Sequence, residues 1–378
     1  MTNVVIAGYA RSPFTLAKKG SLARVRPDEM AAEIVRALVA TTGVRPEDIE
    51  DIIVGCSFPE GEQGLNVARM IGFLADLPLS VAGTTVNRFC GSSMTSIHIA
   101  AGAIQMNAGE VFLCVGVESM SRVPMGGFNP LPSPKLYAAM PAAYIGMGET
   151  AETVAQRWQI TRAAQEAFAL DSHRKASAAQ HDGRLTAEII PINTGKTSIS
   201  RDECIRADAS AEGLAGLKPA FSVDGTVTAG TSSPLTDGAS AVLVCSEDYA
   251  VKHGLPMLAR IKSIAVAGCA PDIMGIGPVG ASAKALARAG ISARDLDVIE
   301  LNEAFASQAL ACIHDLDLDP AKVNLDGGAI ALGHPLGATG ARITGKAAAV
   351  LKREGGRYAL ATQCIGGGQG IATVLEAI

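Results

Sequence analysis

Four side chains in this 378-residue chain have the types needed for acyl transfer: Cys90, Asn302, His334 and Cys364. Cys90 sits in Val86-Asn87-Arg88-Phe89-Cys90-Gly91-Ser92-Ser93, between a short β-favouring run (83–86) and a long helical pattern (92–106). A thiol at the mouth of a helix faces unpaired N–H groups and the positive end of the dipole, which is expected to push it toward the nucleophilic thiolate. A small buried hydrophobe fits that stretch equally well. Asn302 lies in Asn302-Glu303-Ala304-Phe305, His334 in Gly333-His334-Pro335, and Cys364 opens Cys364-Ile365-Gly366-Gly367-Gly368-Gln369-Gly370. One cysteine can act as nucleophile with a histidine to take its proton, and a second thiol can carry a proton to and from carbon. Consecutive glycines let backbone N–H groups point at a developing oxyanion. Each group also has a plainer duty: Asn302 as a helix cap, His334 as a turn residue, Cys364 as core, the glycines as a tight turn. Their joint recurrence at strand ends and helix mouths favours a catalytic site.

Rival chemistries fail on spacing. No two of Cys90, His334 and Cys364 share a local knuckle, so no metal is expected. No G-x-x-x-x-G-K-[ST] phosphate loop occurs, and Ser92-Ser93 is not the G-x-S-x-G elbow of hydrolases. Cys56, Cys114, Cys204, Cys245, Cys269 and Cys312 mostly lie inside apolar runs and read as core. A net charge of −5 without a basic block argues against nucleic-acid or anionic-membrane binding. No signal peptide is seen at Met1-Thr2-Asn3-Val4 and no apolar run is long enough to span a bilayer, so the expected setting is a reducing cytoplasm with free thiols.

The elements that must position these groups alternate between strand and helix. Strands are expected at 4–7, 51–55 and 111–115, and helices at 27–42, 64–74 and 92–106. That rhythm implies an α/β fold with a parallel sheet covered on both faces; 48% hydrophobic residues and 41 glycines agree with it. The segment 119–237 breaks the rhythm with Pro124, Pro130, Pro132 and Pro134, then holds two polar helical patterns (148–158 and 162–180), and reads as an inserted lid or loop domain. The alternation then returns as a copy. Gly43-Val-Arg-Pro-Glu-Asp48-Ile49 matches Gly290-Ile-Ser-Ala-Arg-Asp295-Leu296, an offset of 290 − 43 = 247. The same offset pairs Phe58 with Phe305, Cys90 with Gly337 and Leu113 with Leu360, and predicts a gapless duplication over about seventy positions. The expected division is 1–118 plus about 238–256, then 119–237, then 257–378. Two such halves about a pseudo-twofold axis would bring the Cys90 and His334 turns to one cleft.

On the motifs already quoted, together with Gly116-Val117-Glu118-Ser119-Met120-Ser121, Gly225-Thr226-Val227-Thr228-Ala229-Gly230 and Gly327-Gly328-Ala329-Ile330-Ala331-Leu332-Gly333-His334-Pro335, the whole chain resembles the thiolase family. The resemblance implies two βαβαβαββ halves in a five-layered αβαβα core with an inserted CoA-binding loop domain. It implies an acyltransferase that cleaves 3-ketoacyl-CoA with free CoA. Cys90 would be the nucleophile, His334 its base and Cys364 the acid/base for the acetyl carbon. Asn302, holding a water, would form one oxyanion hole with His334; the N–H groups of Cys90 and Gly366 would form the other. Arg206, Ala229 and Ser233 would approach CoA, and Met147, Met274 and Phe305 would line the acyl pocket. CoA would be a co-substrate, with no permanently bound cofactor. The resemblance further implies a homodimer or homotetramer, and allows a hydratase/dehydrogenase partner subunit. Two departures from members specific for acetoacetyl-CoA, Thr231-Ser232-Ser233-Pro234 and Gly146, point to a broad-range 3-ketoacyl-CoA thiolase. The alternatives are an acetoacetyl-CoA thiolase that condenses two acetyl-CoA, and a non-catalytic CoA- or lipid-binding relative.

Overall fold

The structure, a computed structural model, describes residues 2–378. The first half runs β1 (Val4–Arg11), β2 (Thr15–Leu16), α1 (Pro27–Thr42), β3 (Asp51–Gly55), α2 (Val67–Leu74), β4 (Ala82–Val86), α3 (Ser92–Gln105) and β5 (Val111–Ser119). An excursion follows with α4 (Pro134–Ala139), α5 (Met147–Arg157), α6 (Arg162–His181), β6 (Ile192–Asn193), β7 (Ser198–Ile199) and α7 (Ala211–Ala215). The chain returns through β8 (Thr236–Ser246) and α8 (Glu247–His253). The second half is β9 (Ala259–Gly268), α9 (Gly277–Ala289), β10 (Val298–Leu301), α10 (Ala306–Asp315), α11 (Ala329–Leu332), α12 (Leu336–Glu354), β11 (Tyr358–Ile365) and β12 (Gln369–Glu376).

Strand order β10-β11-β12-β9-β1-β8-β5-β3-β4 makes two half-sheets joined where β1 meets β9. Period-two alternation sorts the side chains of each half-sheet onto two faces. Val111, Leu113 and Val115 pack outward with Met30, Ile34 and Leu38 of α1. Phe112 and Cys114 pack inward with Met94 and Ile97 of α3 and Ile343 and Val350 of α12. The outer face of the second half-sheet, with Ile299, Leu301 and Leu360, is covered by Ala281 and Ala285 of α9 and by Cys312 of α10. The result is five layers, with α3 and α12 sandwiched between the half-sheets.

The internal duplication has a register in the structure. Asp51 pairs with Phe112 in the first half and Val298 with Ala359 in the second, both shifted by 247. Helices α3 and α12 cross symmetrically. Ser93 Oγ accepts from Ala341 N at 2.8 Å, and the mate of that contact brings Gly340 against Met94. A Cβ on Gly340 would fall 2.3 Å from Met94 N, so only glycine allows the crossing. Gly43 and Gly290 end α1 and α9 with φ of 72° and 71°.

The gapless offset fails between these anchors. In the first half Ile52 pairs with Gly83 of β4; in the second, Ile299 bridges Val323, so the offset there is 323 − 83 = 240. Residues 329–332, expected opposite β4, form α11 instead. A deletion and a compensating insertion restore the register by α12, and the second half keeps only one bridge where the first has a full strand.

Buried ion pairs fix the excursion to the core. Arg11 on β1 bonds Glu188 and Asp202, both at 2.7 Å, and Lys346 on α12 bonds Glu188 at 2.9 Å and Asp326 at 2.7 Å. Removing one partner would leave an uncompensated buried charge, at a cost of about 3–5 kcal/mol. No helix among the described residues is long and apolar enough to cross a membrane.

Candidate active site

Cys90 caps the turn between β4 and α3. The preceding Phe89 has φ of 43°, a left-handed conformation rare for an aromatic residue, and it kinks the chain so that residue 90 faces the second half. The backbone N–H groups of Gly366 and of Cys90 itself lie close enough to the Cys90 sulfur to favour its charged form. The Cys90 carbonyl accepts from Gln363 Nε2 on β11, which ties the nucleophile turn to the opposite half-sheet.

The expected thiolate is absent at rest. Cys90 is partly exposed as a residue, but its sulfur is deeply surrounded. Burial pushes the thiol up to about 12, outweighing both N–H donors, and the nearby Glu118 carboxyl adds to the rise. Desolvation therefore wins over the helix-mouth field, and the resting group is a neutral thiol.

His334 precedes α12, whose first turn starts at Leu336. Its Nδ1 lies 2.6 Å from Thr339 Oγ1, and that hydroxyl donates to Pro335 O at 3.1 Å. A hydroxyl has one hydrogen, so Thr339 accepts from Nδ1–H and leaves Nε2 unprotonated, an acceptor. Asn302 Nδ2 lies 3.3 Å from Nε2. Burial, reinforced by Arg342, lowers His334 to about 3, so the ring is neutral. Asn302 itself follows β10, with N bonded to Thr362 O at 3.0 Å, and its Oδ1 is buried without a partner.

Cys364 ends β11, fully buried among Met274, Phe305, Ala151, Val227 and the partly buried Met147. Burial raises its thiol well above the ordinary range, and Cys90 is close enough to raise it further. Gly367 and Gly368 turn the chain back into β12 with φ of 80° and 84°. The structure thus brings Cys90, Gly366 and Cys364 together, His334 with Asn302, and Met147, Met274 and Phe305 around Cys364.

The three residues expected at CoA lie on one side of this centre. Arg206 and Ala229 line a narrow pocket with His173, Ser232 and Pro234. Arg206 and His173 also border a neighbouring cavity of about 870 Å³ with Arg174, His181 and Ser210. Arg206 N donates to His173 Nδ1 at 3.1 Å. Ser233 N donates to Ala304 O at 3.0 Å, joining the CoA-side turn to the Asn302 turn.

Several buried polar groups were not singled out from sequence. Thr339 sets the His334 tautomer. Asn324 holds the Asn302 turn, donating to Leu301 O at 2.8 Å and to Glu303 Oε1 at 2.7 Å. Gln363 holds Cys90. Glu118 accepts from the N–H groups of Ser57 and Gly337, both at 2.8 Å, and from Gln63 Nε2 at 2.9 Å. A buried acid or amide inside an apolar strand was the available signal.

Two family models cover the chain: the thiolase N-terminal domain over residues 4–248 and the thiolase C-terminal domain over 255–377. The chain belongs to the thiolase family. It is 46% identical over 389 residues to a 3-ketoacyl-CoA thiolase of Bacillus subtilis (strain 168), covering 100% of both chains. Among solved thiolase structures, it matches a Bacillus anthracis acetyl-CoA acetyltransferase with a TM-score of 0.92 and 41% identity, covering 100% of this chain and 99% of that one. It matches human mitochondrial 3-ketoacyl-CoA thiolase in complex with CoA with a TM-score of 0.92 and 38% identity, covering 100% and 98%. These likenesses agree with the five-layered fold, and membership of the thiolase family makes the chain an acyltransferase.

Proposed function

We propose that this thiolase cleaves 3-ketoacyl-CoA reversibly with free CoA through an acyl-enzyme on Cys90. The observation that carries this reading is the cluster of Cys90 Sγ, the Gly366 N–H and the Cys364 thiol, with the unprotonated Nε2 of His334 accepting from Asn302 Nδ2. In the degradative direction Cys90 attacks the 3-keto carbon as His334 Nε2 takes its proton. The tetrahedral oxyanion lies between the N–H groups of Cys90 and Gly366. Cleavage of the C2–C3 bond leaves the shortened acyl group on Cys90 and releases acetyl-CoA as an enolate, which Cys364 protonates at carbon. The enolate oxygen faces His334 and a water on the unpartnered Oδ1 of Asn302. Free CoA then takes the acyl group from Cys90, its thiol proton going to the Cys364 thiolate, and the departing Cys90 thiolate regains its proton from His334. The thioester serves as the electron sink.

Segment 119–237 is proposed as the CoA-binding loop domain, between a first half of 1–118 plus about 238–256 and a second of 257–378. Arg206 would contact the adenine nucleotide, and Ala229 and Ser233 the pantetheine; a guanidinium suits both an aromatic face and phosphates. A broad acyl range is favoured over acetoacetyl-CoA alone. A side chain added at Gly146 would meet only the Glu149 carboxyl at 3.8 Å, which leaves space beside Met147. A homodimer or homotetramer is favoured by β4, an edge strand flanked by exposed Leu65, Phe73 and Leu79. Eight free thiols suit a reducing cytoplasm.

Intact-mass measurement after mixing with acetyl-CoA tests the core of the reading. A labile acetyl group on Cys90 is expected; CoA binding without it would instead mark a non-catalytic relative. Turnover of a chain-length series of 3-ketoacyl-CoA separates a broad range from an acetoacetyl-CoA specialist.

A further inference from the structure

The pseudo-twofold axis pairs the anchored parts of the first half with parts of the second, and the backbone N–H pair at Cys90 and Gly366 falls within them. Under the 247 offset fixed by the β3/β10 and β5/β11 ladders and the α3/α12 crossing, Cys90 corresponds to Gly337 and Gly366 to Ser119. The N–H pair of Cys90 and Gly366 therefore has a mate in the N–H pair of Gly337 and Ser119. The first pair is aimed at Cys90 Sγ and the site. The second is filled from within the chain. Gly337 N donates to Glu118 Oε2 at 2.8 Å, and Ser119 N donates to Gln63 Oε1. Gln63 Nε2 donates in turn to Glu118 Oε1 at 2.9 Å, and Ser57 N donates to Oε2 at 2.8 Å. Glu118 and Gln63 are buried.

We propose that Glu118, backed by Gln63, plugs the pseudo-symmetric copy of the oxyanion hole and thereby fixes the His334 turn, making Glu118 a positioning residue for the thiolase reaction. Gly337 lies three residues after His334, in the first turn of α12, where a carboxylate meets the positive end of the helix. The same carboxylate grips the turn after β3 and is anchored by its own strand, β5. The imidazole therefore rides on a helix end that Glu118 pins to the half-sheet bearing Cys90. The packing leaves little slack: a Cβ on Gly116 would lie 2.4 Å from Gly337 O. A charge-assisted bond at 2.8 Å sets the registry of base and nucleophile. A misplacement of the base by about 1 Å is enough for roughly hundredfold effects on rate.

The inference rests on Cys90 and His334 acting as proposed above, and a double-mutant cycle separates the two. Acetylation of Cys90 by acetyl-CoA is followed in single turnover for the wild type, Glu118→Gln, His334→Ala and the double variant, with CoA affinity measured alongside. A wild type that never acetylates Cys90 overturns the site reading itself. Given wild-type acetylation, Glu118→Gln is expected to slow the step at least tenfold with CoA affinity within twofold. In the His334→Ala background the same change is expected to matter less than twofold, because Glu118 acts through the imidazole. A rate within twofold of wild type, or an equal slowing in both backgrounds, overturns the inference. If Glu118→Gln does not fold, Gln63→Leu leaves the carboxylate in place and removes its brace. It carries the same cycle: slowing that depends on His334 supports the inference, and no slowing, or slowing independent of His334, overturns it.

Discussion

Replacing His334 with alanine tests how the nucleophile is generated. With Cys90 near 12 and His334 near 3, a resting thiolate–imidazolium pair is strongly disfavoured. At pH 7 the thiol lies about five pH units below its midpoint, so only about one molecule in 10⁵ carries free thiolate, a deficit of about 7 kcal/mol. His334 must then act within the transition state, taking the proton as the S–C bond forms while the oxyanion appears at the Cys90 and Gly366 N–H groups. Positioned general bases contribute about 10²–10⁴-fold, and His334→Ala should lose that much at pH 7. The variant falls back on the free thiolate, so its single-turnover acetylation should rise about tenfold per pH unit between pH 7 and 9. The wild type should stay nearly flat over that range. Quenched-flow release of CoA from acetyl-CoA, with intact mass confirming acetyl-Cys90, reads both profiles. A variant within tenfold of wild type at pH 7, a flat variant profile, or ultraviolet thiolate absorbance from Cys90 in the resting enzyme at pH 7 would refute the argument.

Cys364→Ser should still acetylate at Cys90 but lose deuterium uptake at the acetyl methyl group; unchanged exchange removes Cys364 from the carbon-acid step. Arg206→Ala should raise KM for CoA several-fold with kcat within twofold, and an unchanged KM places CoA elsewhere. Stability should fall in acid. Burial lowers His98 and His334 to about 3 from 6.5, so below 6.5 the unfolded chain binds protons that the folded chain refuses until about pH 3. At pH 5 each ring costs about 2 kcal/mol. His98→Gln should therefore shrink the loss of unfolding free energy between pH 7.5 and pH 5 by about that amount in urea titrations; an identical loss in the variant contradicts the buried neutral ring.

The turns that carry Cys90, His334 and Cys364 stand out in the sequence because glycine or proline stands close to each of them, and Asn302 stands out by the change of period after 298–301. The same punctuation gave α1 and β3 their full extents of 27–42 and 51–55. The resting charge of Cys90 did not show, because a helix dipole is local and legible whereas desolvation depends on what the other half of the chain lays over the sulfur. The break in the repeat was hidden because one deletion and one insertion cancel between Ile299 and Gly337. Glu118 and Gln363 sit inside strands, and they reach Gly337 and Cys90, 219 and 273 residues away.

The repeat also explains why one chain holds one centre. Mated positions under the 247 offset are Cys90 and Gly337, Val117 and Cys364, and Gly55 and Asn302; His334 lies in the inserted stretch and has no mate. In no pair do both halves keep the reactive side chain. The front half supplies the sulfur proposed to take the acyl group; the rear half supplies the imidazole, the amide and the second thiol. Two intact sites about one axis would place two sulfurs and two imidazoles in the same cleft, and each N–H pair would compete for one oxyanion. Filling the rear pair with Glu118 and Gln63 removes that degeneracy and turns half of an ancestral duplication into the support for the other. Weakening the plug should therefore disturb the base rather than create a second nucleophilic centre, since Gly337 has no side chain with which to attack.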